Sequence, residues 1–341
     1  MSRAILPFLL VLPLLPLMAC SALTNDQLQV DHDDVILPVQ VRGNVDDGTL
    51  LLYETGGPWG GGLEERVVDY QYFSETLEPH VGIAYYDRRG YGNAYGQYKP
   101  DDISVDAYVA DLDAVLRVVQ ERYEPERIVL MGHSWGGFIT GRYLVDRGSE
   151  RVDAWISAAG AVVTGGDDAY VPFRRDFVCR VSADRLEAGD TRADWAGMQD
   201  WCDAHLEIDP ESDARDELWD HLNRVYELVG DPPIRTGPLL SALFGSSYNV
   251  TDSLMTPNEI SLRVYEDTRE MDLLSELGAV DVPTLFVAGE LDDVIPTEVA
   301  DAAAAIVPDA IVVEIPDAGH YVTWPDPQPF ADDVLGFLDS L

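Results

Sequence analysis

Residues 132–137 read Gly132-His133-Ser134-Trp135-Gly136-Gly137. The apolar run before them, residues 127–131, is typical of a short buried strand, and residues 138–144 have the pattern of a helix. A Gly-x-Ser-x-Gly sequence between a strand and a helix indicates a nucleophile elbow, a turn so tight that glycine is required two residues either side of the serine. The stretch therefore predicts an α/β fold in which the hydroxyl of Ser134 stands clear of the backbone.

Strand and helix patterns alternate through residues 35–164 and again through residues 273–341. This alternation predicts one core in two parts, a mostly parallel sheet with helices on both faces. Residues 44–48 have the composition of a hairpin turn, which predicts that the strands on either side of them pair. Over residues 165–272 the alternation stops, and we expect an inserted, mainly helical cap.

The first 19 residues have the pattern of a targeting segment: Arg3 is followed by an apolar stretch too short to span a membrane comfortably. It ends in Leu17-Met18-Ala19-Cys20, which resembles the lipobox of bacterial lipoprotein precursors. The resemblance implies cleavage before Cys20 and a lipid on its thiol, so that an exported protein is anchored at a membrane surface. The alternative is an ordinary secretory signal cut nearby. Residues 20–34 are polar and acidic and predict a tether.

The charge balance is strongly acidic, with 62 acidic and 22 basic residues and a net charge of −40. Such a surface repels phosphate backbones, so we expect no nucleic-acid partner. Adaptation to high salt, which screens self-repulsion, is one hypothesis for this charge. Loss of activity between low and molar salt would count against it.

Two cysteines remain if Cys20 carries lipid, namely Cys179 and Cys202, and both fall in the predicted cap. In an oxidising compartment an even pair is most simply a disulfide. Two separate buried thiols are the alternative, because sequence cannot show whether the two Cα atoms approach each other.

A serine hydroxyl needs a base, usually an imidazole oriented by a carboxylate. Asp292 and His320 each follow a predicted late strand, and with Ser134 they give the chain order serine, acid, histidine. Because carboxyl ends of parallel strands meet at one sheet edge, we expect the three side chains to converge. Asp293 is the rival acid, less favoured by its spacing, and His133 is interpreted as structural.

The oxyanion of a tetrahedral intermediate needs backbone donors. One predicted donor is the N–H of Trp135, directly after the nucleophile. The second, Gly57, belongs to the glycine-rich residues 56–62, which follow a predicted strand but lack the Lys-Ser/Thr of a phosphate-binding loop. We predict no cofactor and no metal, since no His-Glu-x-x-His pattern occurs.

Three motifs together resemble the proline iminopeptidase-like group of α/β-hydrolase serine peptidases. They are Gly56-Gly57-Pro58, similar to His-Gly-Gly-Pro-Gly-Gly-Gly; residues 86–92, Tyr-Asp-Arg-Arg-Gly-Tyr-Gly, similar to Tyr-Asp-Gln-Arg-Gly-x-Gly; and residues 132–136, similar to Gly-Gly-Ser-Trp-Gly. The resemblance implies an α/β-hydrolase core, with Asp292 and His320 in the acid and base positions. It also implies an aminopeptidase that releases N-terminal residues from short peptides.

The chain departs from that pattern at several points. Thr55 stands where the family has histidine, and Trp59 stands where it has glycine. In the family, carboxylates of the cap bind the substrate's amino terminus; Asp194, Asp200 and Asp203 lie in a tryptophan-containing segment only loosely similar to that region. A carboxylesterase or lactonase with the same triad is therefore the alternative function. A non-catalytic binding protein is a second alternative, which the intact triad disfavours.

Overall fold

The computed structural model describes residues 23–57, 72–97, 99, 102–209, 211–229, 258–324 and 326–341. Nine strands in these residues form a single sheet with the order β1-β2-β4-β3-β6-β7-β8-β9, and β5 pairs with β2. The pairs β1–β2, β2–β4 and β2–β5 are antiparallel. The pairs β4–β3, β3–β6, β6–β7, β7–β8 and β8–β9 are parallel. The strands are β1 Thr24–His32, β2 Val35–Gly43, β3 Thr49–Glu54, β4 Gly82–Tyr86, β5 Tyr95–Gly96, β6 Arg127–His133, β7 Ala154–Ala158, β8 Thr284–Gly289 and β9 Ala310–Ile315.

Helices cover both faces of this sheet. Because successive strand residues point to opposite faces, Leu50 and Leu52 of β3 enter one apolar core, while Leu51 and Tyr53 enter the other. The first core contains residues of α2, α3 and α9, and the second contains residues of α1 and α10. The helices are α1 Phe73–Thr76, α2 Val105–Tyr123, α3 Trp135–Arg147, α4 Asp167–Glu187, α5 Trp195–Ala204, α6 Asp213–Val229, α7 Asn258–Arg269, α8 Leu273–Glu276, α9 Thr297–Ala304 and α10 Pro327–Asp339. The predicted fold class, a mostly parallel sheet between helices, is confirmed.

The prediction of a tether over residues 20–34 is wrong for the part that the structure describes. Thr24–His32 form β1, which pairs with β2 along its whole length. Val30 is 2% exposed, and Leu28 packs beside it against the first core. Alternate residues of the strand, Asp26, Leu28 and Val30 among them, form its more buried face, and Asp31 is on the exposed face, so acidic composition was a misleading guide.

The predicted hairpin between β2 and β3 is also wrong. Residues Val45–Asp47 form a short 3-10 helix, and β4 lies between the two strands, antiparallel to β2 and parallel to β3. A glycine-containing turn permits the chain to reverse, but the pairing is decided by which strand buries its apolar residues best.

Between β7 and β8, the described residues include the helices α4 to α8. Helices α4 to α6 have their own apolar cluster, which includes Phe177, Trp195, Trp201 and Leu222. The predicted disulfide is present: Cys179 and Cys202, 5.7 Å apart at Cα, join α4 to α5. The boundaries of a cap over residues 165–272 stay a prediction, and residues 230–257 of it lie outside the described residues.

Across the described parts of the chain, no helix combines the length and apolar character needed to cross a membrane. The predicted signal segment and Cys20 lie outside the described residues.

Candidate active site

The turn between β6 and α3 presents Ser134. Its φ is +51°, a left-handed value that non-glycine residues rarely adopt, and α3 begins at the next residue. A Cβ atom on Gly132 would lie 2.3 Å from the carbonyl oxygen of Gly136, and one on Gly136 would lie 2.2 Å from that of Glu54. Both glycines are therefore required by contact with backbone that cannot move away, as expected of a nucleophile elbow.

The structure brings Ser134, His320 and Asp292 together at the carboxyl edge of the sheet. The Nε2 atom of His320 lies 2.9 Å from Oγ of Ser134, and its Nδ1 atom lies 3.0 Å from Oδ2 of Asp292. When the carboxylate of Asp292 accepts a hydrogen bond from Nδ1–H of His320, the Nε2 atom carries no proton and can accept the one from serine. This arrangement can raise the nucleophilicity of a hydroxyl that is otherwise weak.

Of the two neighbouring acids, Asp292 is the one that contacts His320. It is fully buried, and its Oδ1 atom accepts hydrogen bonds from the backbone N–H groups of Val294 and Ile295, each at 2.9 Å. Such bonds stabilise an ionised carboxylate in a buried place. Burial, together with the charge of Asp292, raises the pKa of Asp293 to about 6.

The two predicted oxyanion donors belong to two neighbouring segments, the start of α3 and the residues that follow β3. The backbone N–H of Trp135 belongs to the first turn of α3, where helix N–H groups lack partners inside the helix. Gly57, with a φ of +54°, lies three residues beyond Glu54, which pairs with Gly132 of β6. The glycine-rich residues 58–62 lie outside the described residues.

Two loops of the site are tied together by an arginine of α4 that sequence reasoning missed. Arg185 of α4 contacts the carboxylates of Glu290, at 2.9 Å, and Asp317, at 3.3 Å. Glu290 also accepts a 2.8 Å hydrogen bond from the backbone N–H of Asp317. Glu290 precedes Asp292 and Asp317 precedes His320, so this ion pair holds the acid loop against the base loop. Nothing in the local pattern around Arg185 signals a partner 105 residues away.

The carboxylates that the resemblance suggested for amine binding do not face inward. Asp194, Asp200 and Asp203 are exposed, and Asp194 caps α5 by accepting the N–H of Gly197 at 3.0 Å. Their neighbours Trp195 and Trp201 point instead into the apolar cluster that α4 to α6 share. Among the side chains that the structure describes, no group of three or more His, Cys, Asp or Glu could hold a metal ion.

Comparison with known proteins identifies the fold. The sequence pattern of the alpha/beta hydrolase fold family matches residues 59–327. A proline iminopeptidase of Thermoplasma volcanium is 21% identical over 267 residues, which are 78% of this chain and 82% of that protein.

Solved structures resemble this chain at sequence identities close to that of the Thermoplasma volcanium protein. A proline iminopeptidase of Mycobacterium smegmatis has a TM-score of 0.62 and 18% identity, covering 92% of this chain and 98% of that one. An esterase of Exiguobacterium antarcticum has a TM-score of 0.59 and 17% identity, covering 93% and 100%. At this level of identity the structures share the fold, which hosts many different activities.

Proposed function

The chain belongs to the α/β-hydrolase fold family, and we propose that it is a serine hydrolase that acts through an acyl-enzyme. The observation that carries this proposal is the chain of short contacts from Ser134 through His320 to Asp292. A hydroxyl, an imidazole and a buried carboxylate in this order are the parts needed to make and then release an ester on the serine.

In the proposed reaction, Oγ of Ser134 attacks the substrate carbonyl while Nε2 of His320 takes its proton. The negative charge that develops on the carbonyl oxygen is stabilised by the N–H groups of Trp135 and Gly57. Collapse of this intermediate breaks the bond to the leaving group, which receives the proton from His320. Water, deprotonated by the same imidazole, then releases the acyl group. Asp292 keeps the imidazole in the useful tautomer throughout.

The finer activity that we propose is that of a proline iminopeptidase-like aminopeptidase, which releases the N-terminal residue of a short peptide. Three motifs support it, at residues 56–58, 86–92 and 132–136, as does the 21% identical iminopeptidase. The TM-score of 0.62 with a second iminopeptidase is consistent with it.

A carboxylesterase or lactonase is the second candidate, and a specific observation favours it. Asp194, Asp200 and Asp203 are exposed, so these three carboxylates offer no buried partner for a substrate ammonium group. A small ester needs no such partner, and the triad would act on it in the same way.

Labelling with a fluorophosphonate probe tests the serine hydrolase. The wild-type protein should be labelled on Ser134, as read by mass spectrometry, and the Ser134→Ala variant should not. Turnover of prolyl and other aminoacyl arylamides, compared with short-chain nitrophenyl esters, then separates the two candidates. Ester turnover without arylamide cleavage would favour the esterase, and a folded protein that the probe does not label would refute both.

We also propose that the mature chain is exported and held at a membrane by lipid on Cys20. The sequence Leu17-Met18-Ala19-Cys20 supports this, and a disulfide is typical of an oxidising compartment. Metabolic labelling with radioactive palmitate in a bacterial host should mark the wild type and not Cys20→Ala. Label on both proteins, or on neither, would contradict the anchor.

A further inference from the structure

One buried cation contacts three successive carbonyl groups next to the elbow. Arg88 follows β4 and is fully buried. Its Nη2 atom donates to the carbonyl oxygen of Thr55 at 2.8 Å and, at 3.5 Å, to that of Gly56. Its Nη1 atom donates to the carbonyl oxygen of Gly57 at 3.2 Å. A single guanidinium therefore restrains the backbone of the segment that supplies one predicted oxyanion donor.

These contacts also determine where the N–H groups of that segment point. In a trans peptide the C=O and N–H bonds lie in one plane and point in opposite directions. The carbonyl of Gly56 shares its peptide group with the N–H of Gly57. Because this carbonyl faces Arg88, the N–H of Gly57 points to the side away from the guanidinium.

The same guanidinium also contacts the residue that carries the other predicted donor. The Cζ atom of Arg88 lies 4.8 Å from the centroid of the Trp135 ring, a cation–π distance. Trp135 is held from the cap side as well, because its Nε1 atom donates to Oγ1 of Thr268 at 3.2 Å. Arg88 thus links the two chain segments that would share the oxyanion.

A buried acid balances this cation. Glu54, the last residue of β3, lies 3.1 Å from Nη2 of Arg88, and it accepts a short hydrogen bond from the hydroxyl of Tyr86. Burial, the largest single effect, lowers the pKa of Arg88, but the charge of Glu54 together with three neighbouring tyrosines outweighs burial, so the pKa is raised. The surroundings of the guanidinium therefore favour its charged form.

We propose that Arg88 is a positioning residue that holds the N–H groups of Gly57 and Trp135 in place for the oxyanion of the tetrahedral intermediate. This inference rests on the acyl-transfer activity proposed above. Donors fixed before the reaction need no reorganisation when charge develops, and this preorganisation accelerates the chemical step rather than substrate binding. Loss of Arg88 should consequently lower kcat and leave KM nearly unchanged.

The test removes Arg88 together with Glu54, so that neither charge of the pair is left buried alone. Arg88→Met/Glu54→Gln removes the guanidinium donors to the three carbonyls, and the wild type is the reference. Arg88→Gln/Glu54→Gln restores one amide donor, as in the related family motif. Arg89→Gln is the matched control: Arg89 is the adjacent buried arginine, but its guanidinium donates to the carboxylate of Asp111 in α2, at 2.7 and 2.6 Å.

The kcat of each variant is expressed per active site, with the number of sites titrated by the fluorophosphonate. The second readout is the affinity for an alkyl boronic acid, which forms a tetrahedral adduct with the serine. Relative to the wild type, the Met double variant should lose about 10- to 100-fold in kcat and in boronic acid affinity, with KM changed by less than about threefold. The Gln double variant should recover part of both losses. Arg89→Gln should lose stability without this paired loss.

An unchanged kcat per titrated site in the Met double variant would overturn the proposal, as would an equal paired loss in Arg89→Gln. Should the Met variant not fold, Arg88→Lys decides by the same criterion, because it keeps the charge opposite Glu54 but cannot span three carbonyls. If the wild type is not labelled, the proposed function itself has failed. If the wild type is labelled and the Arg88 variants keep the wild-type kcat and boronic acid affinity, only the positioning role has failed.

Discussion

The Nε2 atom of His133 lies 3.1 Å from the backbone carbonyl oxygen of His320, and the centroids of the two imidazole rings are 5.0 Å apart. His133 is the residue before the nucleophile, and it is 2% exposed. As the donor to that carbonyl, it supports the loop that carries the base. The residue that sequence reasoning treated as structural is therefore in direct contact with the residue proposed to move the proton.

Replacement of His133 by phenylalanine keeps a ring of similar size but removes the donor to His320. One intramolecular hydrogen bond contributes about 1 kcal/mol, so we expect kcat to fall about fivefold. His133→Gln, which can donate through its amide, should retain more activity. Steady-state kinetics with the best substrate measures this, and thermal unfolding of each variant controls for stability. Equal kcat in the wild type and His133→Phe would contradict the contact's role.

The two neighbouring acids offer a sharp comparison. Asp292→Asn should lower kcat by about 10³- to 10⁴-fold, because an asparagine in this position favours the wrong imidazole tautomer. Asp293→Asn should lower it by less than about tenfold, since Asp293 is not the partner of Nδ1. A larger loss for Asp293→Asn than for Asp292→Asn would show that the acid has been misassigned.

Asp293 should also make stability depend on pH. Its pKa is raised to about 6 by burial and by Asp292, from an ordinary value of 3.8, so the folded state binds this proton more tightly than the unfolded state. Stability is therefore lost as the pH rises from about 4 to about 6, by up to about 3 kcal/mol.

Asp293→Asn should accordingly be more stable than the wild type at pH 8, with the difference vanishing near pH 4. Urea unfolding at both pH values measures the free energy of unfolding. A variant less stable than the wild type at pH 8 would contradict the burial of an unfavourable charge.

The disulfide between Cys179 and Cys202 should stabilise the helices between β7 and β8. It closes a loop with a sequence separation of 23, for which chain entropy predicts a contribution of about 3 kcal/mol. The Cys179→Ala/Cys202→Ala variant should unfold at lower denaturant concentration than the wild type. Equal midpoints for the double variant and the wild type would rule this contribution out.

Much of the core could be predicted from local patterns. Gly132 is required by a steric contact with Gly136, four residues away, and β3 and β6 are largely apolar, as buried strands are. Strand pairing cannot be predicted in this way: the local pattern predicts a tether where β1 forms, and a hairpin where β4 separates β2 from β3. Which strands become neighbours depends on how distant apolar faces pack, and composition within one segment does not encode that.

By itself, the sequence determined the elbow, the nucleophile and the two loops that would supply acid and base, because each of these depends on local sterics and on the order of strands and turns. The sequence also favoured Asp292 over Asp293 by its spacing, and the tertiary structure shows its contact with His320. Only the tertiary structure decided that His133 and Arg88 support the site. The direction of a side chain, and its partner across 28 or 187 residues, is fixed by packing of the whole sheet.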